Sequence, residues 1–337
     1  MGYFSSDFHD HATAHLMAEV FELHDRSRFE IYAYSYGPDD GSLMRSRLKA
    51  GVDRFVDFGA DDLHAMGLCI HDDDVDILIV LMGHTARSRS AVLAFRPAPV
   101  QVNFLGYPGT MGGGLADYLI ADSFLVPPHL SSFYSEKIKY LPGCYQPNDR
   151  KRVRPLAPSR SSLGLPEGFF VFCSFNQSYK ITPKVFNVWC ELLREVPESV
   201  LWVYVQSPVT LKNIQVTAQE HGISESRIIA AGKTDQAAHL ARLQCADLFL
   251  DSFPVNAHTT CSEALWMGLP MVTLAGENFA SRVAGSILSA SGFGDFVTWN
   301  LDEYRNLALK LAREPVFYSS SRERFSKAFE ESGVFDS

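Results

Sequence analysis

The sequence predicts an α/β protein made of two successive doubly wound halves. Three observations carry this. Apolar runs of strand length alternate with segments of helical spacing along nearly all of the 337 residues, the sign of mainly parallel sheets flanked by helices. In residues 76–81 (DILIVL), Asp76 is followed by one unbroken apolar run, as expected of a strand covered on both faces. The alternation is interrupted once, at 142–168, by Pro142, Pro147, Pro155, Pro158 and Pro166 with basic residues at 150–154 between them, which makes that stretch the linker.

In the first half, residues 14–24 (AHLMAEVFELH) have helical spacing and 29–36 (FEIYAYSY) read as a strand. A short helix at 43–50, a strand at 54–58 and a helix at 61–70 lead to the strand 76–81. The run 100–105 (VQVNFL) repeats that buried pattern, and a short strand begins at Leu119-Ile120. The second half alternates strands 169–174, 199–205, 227–230, 247–250 and 270–274 with helices 183–195, 211–221, 235–244, 259–268 and 281–291. Helix 302–313 and a helical stretch at 317–331 follow. The expected domains are 1–150, 151–315 and a C-terminal helical segment 316–337, with the two halves facing a cleft. In such sheets ligands bind beyond the carboxyl ends of the strands. The chain opens on Gly2-Tyr3-Phe4 with almost no strand ahead of the next motif and stops at 333–337 without a clear helix end. A fragment of a longer protein, cut at both ends, is expected.

Composition narrows the function. A hydrophobic content of 46% with 20% charged residues fits a globular protein with proper cores. A net charge of −9 argues against a nucleic-acid partner, which calls for a basic stripe. No apolar run approaches the roughly 20 residues that span a bilayer, so no membrane is expected, and the first 15 residues lack a signal-peptide pattern. Cys69, Cys144, Cys173, Cys190, Cys245 and Cys261 form no CxxC pair. They read as reduced, packed thiols of a cytoplasmic protein.

Four segments could carry chemistry. In Asp251-Ser252-Phe253-Pro254-Val255-Asn256-Ala257-His258-Thr259-Thr260, a buried-type strand runs into a helix start, where unpaired amides and the helix dipole favour anions. Taken alone, this fits a diphosphate cradle and a plain threonine cap with a surface histidine equally well. The next residues shift the balance: Glu263 lies one turn into the helix, Gly268 stops it, and Pro270 turns the chain into a strand. Ser174-Phe175-Asn176-Gln177-Ser178-Tyr179-Lys180 follows another strand, and Lys180 there suits a phosphate as a point charge or is an ordinary solvated lysine. His9, His11 and His15 cluster in Ser5 to His15. His11 and His15 have zinc-helix spacing, but the glutamate of HExxH is missing, so a histidine lining a cleft is favoured over a metal site. Finally, Leu105 to Gly114 is a strand entering a glycine-rich loop, open to close ligand approach or simply flexible.

In this order, the segments resemble the catalytic region of the O-linked N-acetylglucosamine transferase or SPINDLY family. The residues that carry the resemblance begin with Gly2-Tyr3-Phe4-Ser5-Ser6-Asp7-Phe8 and His11, then Arg96-Pro97-Ala98-Pro99 and Leu105-Gly106-Tyr107-Pro108-Gly109-Thr110. They continue through Asp117-Tyr118, Tyr134-Ser135-Glu136-Lys137, Phe175-Asn176-Gln177 with Tyr179-Lys180, Asn256-Ala257-His258-Thr259-Thr260 and Ala280-Ser281-Arg282-Val283. The resemblance implies a GT-B glycosyltransferase fold of two Rossmann-like domains. It also implies an inverting reaction without a metal or cofactor, UDP-GlcNAc as donor and a polypeptide Ser or Thr hydroxyl as acceptor. It places Lys180 on the leaving diphosphate, and His258, Thr259 and Thr260 on the phosphates and sugar. Gln177 falls near the phosphates, His239 against the uracil and Gln236 near the uridine, while Gly106 and Pro108 shape the sugar pocket. The same resemblance puts Glu263 on sugar hydroxyls and makes His11 a proposed base, in a family where the base is disputed.

The sequence also departs from the family. Val80 stands where an acidic or amide residue is common, Gln236 where a lysine is sometimes found and Glu263 where aspartate is usual. The tandem helical repeats that usually precede this region, expected in the full-length protein, and the long insertion of animal members are absent from the sequence. Two other readings keep the fold or the binding alone: a GDP-fucose or N-linked transferase, and an inactive nucleotide-binding fragment.

Overall fold

The structure, a computed structural model, describes residues 1–336. The chain forms two compact units. One holds Met1–Arg152 and the described residues from Gly333 onward, the other Val153–Ser332. Residues of the expected segment 316–337 are therefore divided between the two.

The first unit runs β1 (Gly2–Ser5), α1 (Ala12–Leu23), β2 (Tyr32–Ser35), α2 (Leu43–Ala50), β3 (Arg54–Asp57), α3 (Leu63–Asp72) and β4 (Ile77–Val80). Then come β5 (Val100–Asn103), β6 (Tyr118–Ala121) and β7 (Lys137–Tyr140). The sheet order is β3-β2-β1-β4-β5-β6-β7, and every pairing is parallel. The opening residues, which look too short for a strand in sequence, form a central one. Phe4 pairs with Tyr34 on one side and Val80 on the other, and all three are fully buried. β7 escapes the sequence reading because its KIKY alternation leaves only Ile138 apolar inside; as an edge strand it carries lysines, which guard an open edge. The first part of the proline-rich linker is also not loose. Tyr145, Gln146, Asn148 and Asp149 are buried in this unit, and Asp149 accepts from Arg47 at 2.5 Å. Proline there marks an irregular path, not a free one.

The second unit runs β8 (Phe170–Ser174), α4 (Pro183–Glu195), β9 (Ser199–Tyr204), α5 (Pro208–Glu220), β10 (Ile228–Ala231), α6 (Gln236–Leu243) and β11 (Leu248–Leu250). It continues with α7 (Thr259–Trp266), β12 (Met271–Leu274), α8 (Val283–Ala290), β13 (Val297–Thr298), α9 (Leu301–Arg313), α10 (Pro315–Ser326) and α11 (Ala328–Glu331). The sheet order is β10-β9-β8-β11-β12-β13, again parallel. α5 begins earlier than its apolar spacing suggests, because Ser207 caps the amides of Val209 and Thr210 and Pro208 suits the first turn.

The order of strands reverses between β1 and β4 in one unit and between β8 and β11 in the other. Those reversals open a crevice at the carboxyl ends of the central strands, where ligands of doubly wound sheets bind. No helix among the described residues is long and apolar enough to cross a membrane.

Candidate functional site

At the reversal in the second unit, β8 delivers Asn176, Gln177 and Lys180, and β11 delivers Asp251 to Thr260. Asp251 organises the group. Its carboxylate is fully buried. One oxygen accepts from the amides of Ser252 at 2.8 Å and Ala257 at 2.7 Å and from Asn176 Nδ2 at 3.1 Å. The other accepts from Thr273 Oγ1 at 2.6 Å. Burial pushes its pKa up to about 6, against the pull of these donors and of Lys180. Asn176 in turn reaches Ser252 Oγ at 3.0 Å and accepts from Thr260 Oγ1 at 3.2 Å.

Lys180 donates to the carbonyl of Asn256 at 2.8 Å. An ammonium has three donors, so two remain for a ligand. Burial lowers its pKa, and Asp251 opposes that shift. The start of α7 differs from the capped threonine that sequence allows. His258 occupies the cap position and its side chain makes no capping bond, which leaves first-turn amides for an anion. Its Nε2 is buried with no hydrogen-bond partner among the described residues. Burial first and Lys180 second depress the His258 pKa to about 3, so the ring is neutral at neutral pH. Gln177 is exposed and accepts from Gln206 Nε2 at 3.1 Å.

A second cluster joins α6 to α7. Glu263 is buried and accepts from Gln236 Nε2 at 2.7 Å, with His239 Nε2 at 3.2 Å. Arg242 points Nε and an Nη at His239 Nδ1, at 3.2 and 2.8 Å. Arginine can only donate, so Nδ1 accepts and Nε2–H faces the carboxylate. The neighbours thereby set the tautomer. The sequence reading has Glu263 turning towards a ligand; here its carboxylate is engaged by Gln236 and His239. Phe175 packs edge-on to His239 and under the Arg242 guanidinium.

In the first unit, the loop after β1 carries His11, which caps α1 by accepting from Thr13 N at 3.2 Å. The same Nδ1 lies 3.3 Å from Asp7 Oδ2, and the His11 side chain is 44% exposed. Burial lowers its pKa while Asp7 opposes. His9 approaches Asp40 at 3.9 Å and His15 approaches Asp10 at 2.7 Å. Among the described residues, no group of three or more His, Cys, Asp or Glu is arranged to hold a metal. Gly106 is glycine for packing: a Cβ there would lie 2.0 Å from the Leu81 carbonyl. Pro108 sits in the same loop. That loop is anchored, not flexible throughout: Glu136 accepts from Met111 N at 2.6 Å and Thr110 Oγ1 at 2.5 Å, and His84 Nε2 meets Met111 O at 2.7 Å. Gly112, Gly113 and Gly114 take positive φ and face open space.

Sequence reading missed the organising roles of Asp251, Asn176 and Arg242. A charged residue directly after an apolar strand was the available signal for Asp251, and i, i+3 spacing from His239 was the signal for Arg242.

A sequence profile of glycosyl transferase family 41 matches residues 1–157 and 149–337. The chain belongs to that family. It is 38% identical over 319 residues, 93% of this chain and 33% of the relative, to a probable UDP-N-acetylglucosamine–peptide N-acetylglucosaminyltransferase (SEC) of Arabidopsis thaliana. A probable transferase of the same designation (SPINDLY) from Oryza sativa subsp. japonica is 35% identical, with 93% of this chain and 34% of the relative covered. The chain thus spans about a third of the length of these curated relatives. Among solved structures, a mutant O-GlcNAc transferase of Thermobaculum terrenum superposes with a TM-score of 0.92 at 31% identity, covering 100% of this chain and 64% of that one. HepE of Anabaena, solved with UDP and glucose, superposes at 0.66 with 12% identity over 99% and 96% of the chains, a likeness of fold alone. The fold of this family 41 chain is GT-B, with two Rossmann-like units.

Proposed function

We propose that this chain is the catalytic region of an enzyme that transfers N-acetylglucosamine from UDP-GlcNAc to Ser or Thr hydroxyls of polypeptides, with inversion and without a metal. The observation that carries the reading is the group at the start of α7: among the described residues, a half-buried Lys180 with two free donors, a helix start without a side-chain cap, and a buried His258 nitrogen without a partner. The names of the relatives supply the donor and the peptide acceptor. Tandem helical repeats elsewhere in the full-length protein would present that acceptor.

In the transfer, the acceptor oxygen forms its bond to the anomeric carbon from the face opposite UDP. The bond to the diphosphate breaks, and its electron pair passes to the leaving oxygen. Charge grows on the diphosphate, so Lys180, the α7 amides, Thr259 and Gln177 act more strongly in the transition state than in the ground state. His239 and Gln236 take the uridine, Thr260 and Glu263 the sugar side, and Gly106 and Pro108 shape the sugar pocket. His11 receives the acceptor proton on Nε2. That role requires its other proton on Nδ1, facing Asp7 and released from the Thr13 amide.

Transfer and hydrolysis assays with UDP-GlcNAc, UDP-glucose and GDP-fucose test the reading. Turnover with UDP-GlcNAc and a peptide is expected; turnover with GDP-fucose alone would replace it.

A further inference from the structure

We propose that the Thr260 hydroxyl meets the bound donor as a hydrogen-bond acceptor, taking an O–H or N–H of the sugar, while the phosphates fall to Thr259, Lys180 and the α7 amides. The inference deepens the donor-site reading above and rests on it.

It follows from the direction of each hydrogen bond. Asp251 Oδ1 already receives two backbone N–H groups, so it can only accept from Asn176. That turns the Asn176 amide nitrogen towards Asp251. The second Asn176 N–H meets Ser252 Oγ, whose own proton goes to the Val255 carbonyl at 2.8 Å. Both N–H groups are thereby spent, and the amide cannot be flipped without setting oxygen against oxygen. Asn176 Oδ1 then faces Thr260 as an acceptor, and the Thr260 proton must point at it. What Thr260 shows to a ligand is lone pairs, which repel a phosphate oxygen and suit a hydroxyl or an amide.

The arrangement is stiff. Turning the Thr260 hydroxyl outwards would leave Asn176 Oδ1, in a residue only 3% exposed, without a donor among the described residues, which is costly. Protonation of Asp251 does not reverse the relay. Its Oδ1 is filled by N–H groups, so a proton sits on Oδ2, where Thr273 can turn to accept it. Thr259 is the contrast: its hydroxyl has no protein partner among the described residues and is free to donate to a phosphate.

Calorimetry of the wild-type chain and of Thr260→Val, Thr260→Ser and Thr259→Val with UDP, UDP-glucose and UDP-GlcNAc tests this. Thr260→Val is expected to weaken UDP-GlcNAc roughly tenfold more than UDP, the usual scale of one lost hydrogen bond. Thr260→Ser, which keeps the hydroxyl, should restore it, and Thr259→Val should weaken all three ligands alike. A loss shared by UDP-glucose supports a sugar hydroxyl as the partner; one confined to UDP-GlcNAc supports the acetamido N–H. Equal losses for UDP and UDP-GlcNAc in Thr260→Val, with wild type binding both, overturn the inference alone. Failure of wild type to bind UDP overturns the donor-site reading and this inference with it.

Discussion

Two aspartates stand just past strands that flank the reversals, Asp251 after β11 and Asp7 after β1, and they are held by different kinds of donor. Asp251 takes two backbone amides, an asparagine and a threonine, and is fully buried. Asp7 takes Ser6 Oγ at 2.9 Å and Thr13 Oγ1 at 3.2 Å and lies beside an exposed histidine. Hydroxyls rotate and backbone amides do not. The second unit therefore presents a preset polar surface, suited to a ligand of one fixed shape such as a nucleotide sugar. The first unit presents groups that can redirect their protons, suited to a proton transfer or to varied partners.

That contrast can be broken, most sharply at Lys180. Lys180→Ala should lower kcat roughly thousandfold, the scale of a lost charge stabiliser at a leaving group, with an unchanged melting temperature. Near-normal turnover would remove the second unit from the chemistry. Next in size is stability. Asp251→Ala should cost about 3 kcal/mol, since several buried donors lose their acceptor at once, whereas Asp7→Ala should cost about 1 kcal/mol because its hydroxyl partners can turn elsewhere. Urea unfolding curves measure both, and equal losses would erase the distinction between fixed and rotating donors.

His11→Ala should reduce kcat roughly a hundredfold if the first unit supplies the base. The acid limb of the pH–rate profile should then lie below the ordinary histidine range, because burial depresses the His11 pKa. A profile unchanged in the variant would assign the proton elsewhere. The smallest effect concerns UDP affinity at alkaline pH. Burial lowers the Lys180 pKa in the free protein, and a diphosphate favours its charged form. Affinity is thus full below that pKa and falls as pH rises through it, by at most about tenfold per pH unit for one proton. Lys180→Arg should move the limb upwards, since guanidinium stays charged; calorimetry across pH would show it.

Much of this protein is legible in its sequence. The period of its apolar residues marks the strands and helices, because burial on one or both faces of an element imposes that period on contiguous residues. Sequence also locates Lys180 and Thr259-Thr260 at strand and helix ends, and the collinear motifs point to the family. It misjudges β1, four residues long, because only pairing on both sides shows that so short a strand is central. It misses β7, where lysines on a sheet edge erase the apolar run.

What only the tertiary structure decided is the polarity of the site. Asn176 meets Asp251 across 75 residues and Thr260 across 84, and Glu263 meets His239 across 24. No local spacing encodes these pairs. Periodicity records which side of an element faces the core, while the direction of a hydrogen bond depends on which donor the fold sets against which acceptor. The sequence by itself determined two doubly wound units and the residues at their strand ends. The packed structure decided that His258 is neutral, that Glu263 is already engaged and that Thr260 turns its proton inwards, because burial and the facing partners, not residue identity, set each of these.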